Sequence, residues 1–354
     1  MVLENRFVPK PAPGVDLSRH YPVVSATAVA GIPEFVRESF GVRVLNRANR
    51  DALLDLNVVT DHNSFIPHAV MCRFAESIER QTGHSDYGLL LAPHLSIENY
   101  GCWGEYVLGA TTLQAAAKRV VRSLRFHSIG DRFEFCVEGE MARIAYRSAA
   151  KGKPGYSHVA CGILGVLLSF CRAYLTRQWA PVRIELDIPR PARSWHYEET
   201  LGCPVVFDAA SPAVWLETYH LSARKTDSSS GRRLTVCDLA QSRGMLSSAD
   251  LLGVVMEQVR LQLFSGSVSI ERVALTLDTS VRSLQRDLNR DGTSFRDLTG
   301  AVRLRRARNL LAETTLSVTE IAADLGYSSP AHFARAFRKI TGLSPTEFRA
   351  AVKF

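Results

Sequence analysis

The chain has 354 residues, 46% hydrophobic and 22% charged, the make-up of an ordinary folded protein long enough for two domains with separate cores. That composition argues against global disorder, and no apolar run reaches the length of a membrane span. The net charge of +8 is unevenly spread: residues 253–354 hold 15 Lys/Arg against 10 Asp/Glu, nearly all of the cations being arginine. Arginine's planar fork suits phosphate oxygens and guanine edges, although charge alone identifies no partner.

In chain order, residues 1–20 lack a basic stretch leading into an apolar one, so they read as a flexible Pro-rich leader rather than a secretory signal. The expected location is the cytoplasm. Residues 21–225 mix strand-like and helix-like segments. TTLQAAAKRVVRSLRF (111–126) is an amphipathic helix. Apolar and polar residues alternate on both sides of Glu138-Gly139-Glu140 within 131–149, as in a β-hairpin. The long apolar stretch 158–179 reads as a core helix, and 182–188 and 204–208 as further strands. Seven cysteines, scattered and without a C-x-x-C pair, point to buried reduced thiols rather than a disulfide framework or a zinc site. No metal and no cofactor is expected.

Residues 221–244 are polar and Ser/Gly-rich, with a short ordered piece expected around Leu234–Leu239, and 226–248 is taken as the linker. From 249 to 354 the strand signals stop. Helix-period segments run over 249–264, 269–276, 280–290, 294–311, 317–325, 328–340 and 345–352. Ser317…Glu320 and Ser344…Glu347 match the capping box, in which serine and glutamate each bond the other's backbone N–H. The expected fold is thus an α+β N-terminal domain followed by an all-α C-terminal domain.

The C-terminal part contains a repeat. Residues 269–290 and 317–340 each give a serine cap, a short helix, a tight turn and a second helix opened by Ser280 or Ser328. Leu284/Leu288 and Phe333/Phe337 lie four apart on the inner face, with Arg286 and Arg335 matched outside. This is the plan of the helix-turn-helix, whose second helix enters the major groove. The joining helix would be about 27 Å long, against the roughly 34–36 Å between successive major grooves on one side of B-DNA. One chain could then read two adjacent grooves.

On these motifs, residues 253–354 closely resemble the DNA-binding domain of the AraC/XylS family of bacterial transcription regulators, most densely over 292–349. More loosely, IPHAVMCRFAESIERQTGHSDYGLLLA, GATTLQAAAKRVVRSLRFH and YEETLGCPVVFDA resemble the arabinose-binding-type effector domain of the ornithine-regulator and virulence-regulator branch. The resemblance implies an activator whose N-terminal domain binds a small organic effector, of the amine, amino acid or fatty acid class. It also implies double-stranded promoter DNA and RNA polymerase as partners, and leaves a homodimer open.

Arg282, Gln285 and Arg286 share one face and are the expected base readers, since Arg grips guanine and Gln grips adenine bidentately. The family places base contacts at the same positions. Arg290 and Arg296 lie further along and read as phosphate partners or solvated charges. The second reading helix offers Ser328, Ser329, Ala331, His332, Ala334 and Arg335, fewer polar side chains than the family usually has there. The first helix-turn-helix is therefore expected to supply specificity and the second affinity. Arg303, Arg305, Arg306 and Arg308 spread around the connecting helix, Arg306 reading as a structural ion-pair residue. Trp103, Tyr106, Phe126, His127, His158 and Tyr174 are candidates for the effector pocket, although aromatic residues also fill ordinary cores. Glu98, Glu105 or Asp131 could face a cationic ligand. An enzyme is disfavoured: G-x-S-x-G, G-x-G-x-x-G, P-loop and H-E-x-x-H motifs are all missing. An effector-independent regulator, whose N-terminal domain only dimerises, stays open at this level.

Overall fold

The computed structural model describes residues 21–56, 64–225, 234–242, 250–266 and 268–352. The leader 1–20 and most of the expected linker lie outside the described residues. The chain forms two compact units, one spanning His20–Ala249 and one containing Asp250–Phe354.

The N-terminal unit runs β1 (Val23–Ser25), α1 (Ile32–Phe40), α2 (Val42–Ala52), β2 (Phe65–Pro67), α3 (His68–Thr82), α4 (Tyr87–Leu91), α5 (Gly101–Leu108) and α6 (Leu113–Ser123). It continues with β3 (Ser128–Ile129), β4 (Arg132–Glu138), β5 (Met141–Arg147), α7 (Tyr156–Arg172), β6 (Arg183–Glu185), α8 (Ser194–Leu201), β7 (Val205–Val206), β8 (Ala213–Glu217) and α9 (Val236–Ser242). A small antiparallel sheet has the order β2-β1-β3, and a larger one the order β4-β5-β8-β6-β7, with only β6–β7 parallel. The expected hairpin is β4–β5, closed by Glu138 opposite Met141 across Gly139-Glu140. Thr112 caps α6 by accepting from the Ala115 N–H.

α7 is the central helix, packing against α3, α4 and the larger sheet. It ends at Arg172, short of the expected 179, because the apolar run outlasts the helix. The Tyr174 hydroxyl lies within hydrogen-bond distance of the carbonyls of Val107, Leu108 and Ala110, to any one of which its single hydrogen can be donated, and Arg172 Nε donates to the Trp179 carbonyl, so this tail is held by side chains. Two close approaches fix α7 against its neighbours: a Cβ on Gly165 would lie 2.2 Å from the Ala92 carbonyl, and one on Gly88 would lie 2.6 Å from His158 Cα.

The cysteine expectation needs a correction. Cys72, Cys161, Cys171 and Cys203 are buried, but Cys102, Cys136 and Cys237 are exposed. Cys136 is on β4, which is paired with β5 alone and so forms the sheet edge.

The C-terminal unit is helical: α10 (Leu251–Phe264), α11 (Ile270–Thr276), α12 (Val281–Arg290), α13 (Phe295–Glu313), α14 (Val318–Asp324), α15 (Pro330–Thr341) and α16 (Pro345–Val352). Both expected capping boxes form, Ser317 with Glu320 and Ser344 with Glu347. Val273, Leu277, Leu284 and Leu288 are buried in the first helix-turn-helix. Ile321, Leu325, Phe333 and Phe337 form the seam of the second, together with Ala307 and Leu311 of α13.

Candidate nucleic-acid interface and effector cavity

The first helix of each helix-turn-helix motif ends in the same backbone geometry, and the second motif has one more residue before its reading helix. Asp278 (φ +56°) and Gly326 (φ +69°) take the left-handed conformation that ends the first helix of each pair. Thr279 N–H then donates to Ala274 (3.0 Å) and Tyr327 N–H to Ala322 (2.9 Å). Aspartate and glycine are among the few residues that take this geometry readily, so one turn has two spellings.

Caps fix the register. Ser280 Oγ accepts from the Ser283 N–H (3.1 Å), and Ser329 Oγ from the His332 N–H (3.2 Å). The residue equivalent to Ser280 is therefore Ser329, not the expected Ser328, because α15 begins at Pro330. Ser328 precedes the helix, its Oγ 3.5 Å from His332 Nδ1. With the Ser329 hydroxyl used as a cap and no N–H on Pro330, this helix start offers a phosphate less than its sequence suggested.

Counting from the caps, Arg282, Gln285 and Arg286 are equivalent to Ala331, Ala334 and Arg335. On α12 all three are exposed, opposite buried Leu284 and Leu288, and the Arg286 side chain is 68% exposed. Asn289, one turn on from Arg286 and also exposed, extends the same row; its i+7 spacing from Arg282 was the sequence signal that could have found it. Arg290 and Arg296 are exposed as well. On α15, Ala331, His332 and Arg335 are exposed, followed by Arg338 and Lys339; His332 meets the Tyr327 ring edge-on.

The connecting helix α13 spans about 28 Å at 1.5 Å per residue. Its arginines divide. Arg306 pairs with Asp324 through two bonds of 2.7 and 3.1 Å and lies over the Phe264 ring, tying α13 to the ends of α14 and α10. Arg303 lies over Tyr327 and Arg308 over Phe348, whereas Arg305 is exposed.

Within the N-terminal unit a cavity of about 110 Å³ lies between α3, α7 and the small sheet. Its walls are mostly apolar, including Met71, Phe74, Ile163, Val166 and Phe170. Three of the six expected effector residues line it: Trp103, His127 and His158. The His127 ring stacks on both Tyr100 (4.4 Å) and Trp103 (4.5 Å), whose own centroids are 6.1 Å apart. Trp103 Nε1 donates to Ser123, and the His158 ring stacks on Tyr87 at 4.0 Å. His158 Nδ1 accepts from the Gly88 N–H, which leaves Nε2 to donate to Glu79 (2.9 Å). Burial pushes the His158 pKa down, partly offset by Glu79, and drives His127 to about 3.

Tyr106, Phe126 and Tyr174 are not in the lining. Tyr106 sits beneath the Arg119 guanidinium, Phe126 packs on the outside of the core, and Tyr174 is held by the α5 carbonyls. Of the three acids considered, Glu98 and Glu105 are exposed, and Asp131 lines the cavity. One Asp131 oxygen accepts from His68 Nε2 (2.9 Å), Ser128 Oγ (2.5 Å) and the Tyr146 hydroxyl (2.6 Å), and the other from the Ala149 N–H (2.8 Å). Burial would raise its pKa, but these donors together hold the carboxyl below its usual range. His68 and Tyr146 went unnoticed in the sequence, being 63 and 15 residues from Asp131 with no shared periodicity.

Comparison with known proteins bears on both sites. The family model for the arabinose-binding domain of AraC transcription regulator, N-terminal, matches residues 45–224, and a helix-turn-helix domain model matches 273–351. The chain is 28% identical to the ornithine utilization regulator of Pseudomonas aeruginosa over 280 residues, 78% of this chain and 81% of that one. It is 26% identical to the HTH-type transcriptional regulator VirS of Mycobacterium tuberculosis, over 93% of this chain and 96% of that one. Among solved structures, the transcriptional regulator CdpR from Pseudomonas aeruginosa matches with a TM-score of 0.39 at 22% identity, covering 78% of this chain and 91% of that one.

Proposed function

The chain belongs to the AraC family of transcription regulators, and on that premise we propose that it is a one-component activator acting in the cytoplasm without catalysis. A small organic effector binds the regulatory domain, 21–225, and alters how the DNA-binding domain, 249–354, engages promoter DNA and RNA polymerase through the linker 226–248. The two reading helices enter adjacent major grooves, which one chain can reach through α13; dimerisation on DNA adds a second such pair. The first helix-turn-helix supplies most of the specificity and the second mostly affinity.

The observation that carries this reading is the repeated motif with its outward row of Arg282, Gln285 and Arg286 over a buried leucine pair. Those side chain types suit guanine and adenine edges. The cavity supports the effector part over a purely dimerising N-terminal domain.

DNase footprinting on the gene's own upstream region tests the proposal. Two protected major-groove segments about one helical turn apart are expected. Protection that survives both Arg282→Ala and Arg286→Ala at physiological salt would overturn the assignment of α12 as the main reader.

A further inference from the structure

The edge strand of the larger sheet is complementary to itself, which bears on the dimer proposed above and rests on that reading. Among the described residues β4 pairs with β5 alone. In a hairpin closed across two residues the last pair, here Glu138 and Met141, exchanges both N–H···O=C bonds, and bonded pairs then alternate along the ladder. Arg132, Glu134, Cys136 and Glu138 therefore bond β5 through their backbone, and Phe133, Phe135 and Val137 turn theirs outward. The Tyr146 N–H agrees with this pattern: opposite Phe133, it donates to the Pro212 carbonyl, away from β4. The outward N–H and C=O groups line an open edge, a template for another strand.

The side chains are ordered for one partner. Phe133, Phe135 and Val137 share a face; the two phenylalanines pack against the core, but Val137 at the end of the row is 49% exposed. The other face carries Arg132, Glu134, Cys136 and Glu138. Glu134 pairs with Arg147 (3.1 Å), whereas Arg132 stands opposite that same Arg147 on β5. Neither Arg132 nor Glu138 forms an ion pair among the described residues, and both are exposed. Two opposite charges without ion partners thus mark the two ends of one strand. Short length, proline or a bulge would blunt such an edge; β4 has 7 residues, no proline and an unbroken register.

We propose that β4 pairs antiparallel with β4 of a second copy, about a two-fold axis at Phe135, joining two sheets into one. Phe135 then opposes Phe135 of the copy, and Phe133 opposes Val137, so every outward N–H and C=O group finds its complement. Arg132 comes opposite Glu138 on both sides of the axis, and each exposed Val137 gains a phenylalanine neighbour. Moving the axis to Phe133 or Val137 leaves all but one outward residue of the strand unmatched. The contact is isologous, so it closes at two copies and does not propagate.

Sedimentation velocity of the full chain tests the idea. The parent is expected to be a dimer and Val137→Pro a monomer: an edge strand tolerates proline where its N–H faces outward, but the bond that Val137 donates to each partner is lost. Arg132→Glu, and equally Glu138→Arg, should weaken the dimer about five- to tenfold by setting like charges opposite each other twice, and both changes together should restore it. Oxidation reads the register, in a background where Cys102, Cys136 and Cys237 are replaced by serine. Arg132→Cys with Glu138→Cys should cross-link two copies, since directly opposed residues of this kind lie about 4.5 Å apart, within disulfide range. Within one strand the two positions are about 20 Å apart, so either single variant should stay uncross-linked. Should Val137→Pro fail to fold, the charge exchange and the cross-link decide. If the dimer forms only on operator DNA, the cross-link is run there, and its absence overturns the interface. A dimer indifferent to Val137→Pro and to the charge exchange would also overturn the interface, while leaving the dimer reading in place. A chain monomeric both free and on DNA would overturn both; slow hydrogen exchange over 132–138 in that monomer would identify another segment of the same chain as the occupant of the edge.

Discussion

His127 is buried against two aromatic rings, where burial outweighs the attraction that Asp131 offers an imidazolium, and this has a consequence for stability. The folded chain keeps it neutral down to about pH 3, whereas an unfolded chain protonates it near pH 6.5. Between those values the unfolded state binds more protons, so the contribution is full above pH 6.5 and declines as the pH falls. The decline is about 1.4 kcal/mol per unit, and His158 adds in the same direction. Urea midpoints at pH 7.5 and 5.0 should therefore differ, and His127→Phe, which preserves the stack, should reduce the difference by roughly 2 kcal/mol. An unchanged difference would mean that His127 is protonated in the fold. The reading residues obey another logic, because their contribution appears only on DNA. Arg286→Ala should cost about 1–3 kcal/mol and relax preference at one base pair, which a binding assay over single-base operator variants would resolve. A uniform loss over all variants would make Arg286 a phosphate contact instead.

Elements show how far the sequence could be read. The helices of the C-terminal unit were legible because most carry their own local signals: a serine cap before α11 to α16, apolar pairs four residues apart in the reading helices, and an acid at the third position of α13, α14 and α16. Arg306 was placed correctly for the same reason, since Asp324 lies within reach across a short turn. The Ser328/Ser329 choice went wrong by one residue because adjacent serines are equivalent until geometry selects the one before Pro330. In the N-terminal unit β8 escaped notice: Ala213, Val214, Trp215 and Leu216 are all buried in the middle of the sheet, so apolar residues do not alternate with polar ones. The cavity was half legible, aromatic residues being visible but not their partners, because the Asp131 cluster joins α3, β3 and β5 from distant parts of the chain. The small residues of α7 did carry a message, which concerns packing. Gly165→Ala would gain up to about 1 kcal/mol in helix propensity, yet its Cβ would collide with the Ala92 carbonyl, a backbone atom that cannot rotate away. Overpacking costs about 1–3 kcal/mol, so net destabilisation is expected, together with weaker cavity binding because Leu91 and Leu95 flank Ala92 in the lining. A melting curve at or above that of the parent would show that the turn yields freely. For Gly326→Ala there is no collision but a left-handed backbone, and a loss of about 1–2 kcal/mol is expected from conformation alone.

At the scale of the whole molecule, the two helix-turn-helix motifs differ in what they present to DNA, and salt separates the roles. From the cap onward α12 offers Arg282, Gln285 and Arg286; α15 offers Ala331, Ala334 and Arg335, then Arg338 and Lys339. Alanines supply little beyond contact with thymine methyls, so α15 must bind chiefly through its cations. Each phosphate neutralised releases counterions and contributes about −0.9 to the slope of log K against log salt on duplex DNA. Removing both distal cations, Arg338→Ala with Lys339→Ala, should therefore flatten that slope by about 2 and weaken operator and unrelated DNA alike. Arg282→Ala with Gln285→Ala should behave in the opposite manner, keeping most of the slope while the ratio of operator to unrelated affinity collapses. The measurement is a salt titration of binding for the parent and the two double variants, on both DNAs. If the α15 pair alters discrimination more than slope, the second motif is a base reader despite its alanines, and the division of labour between the motifs is reversed.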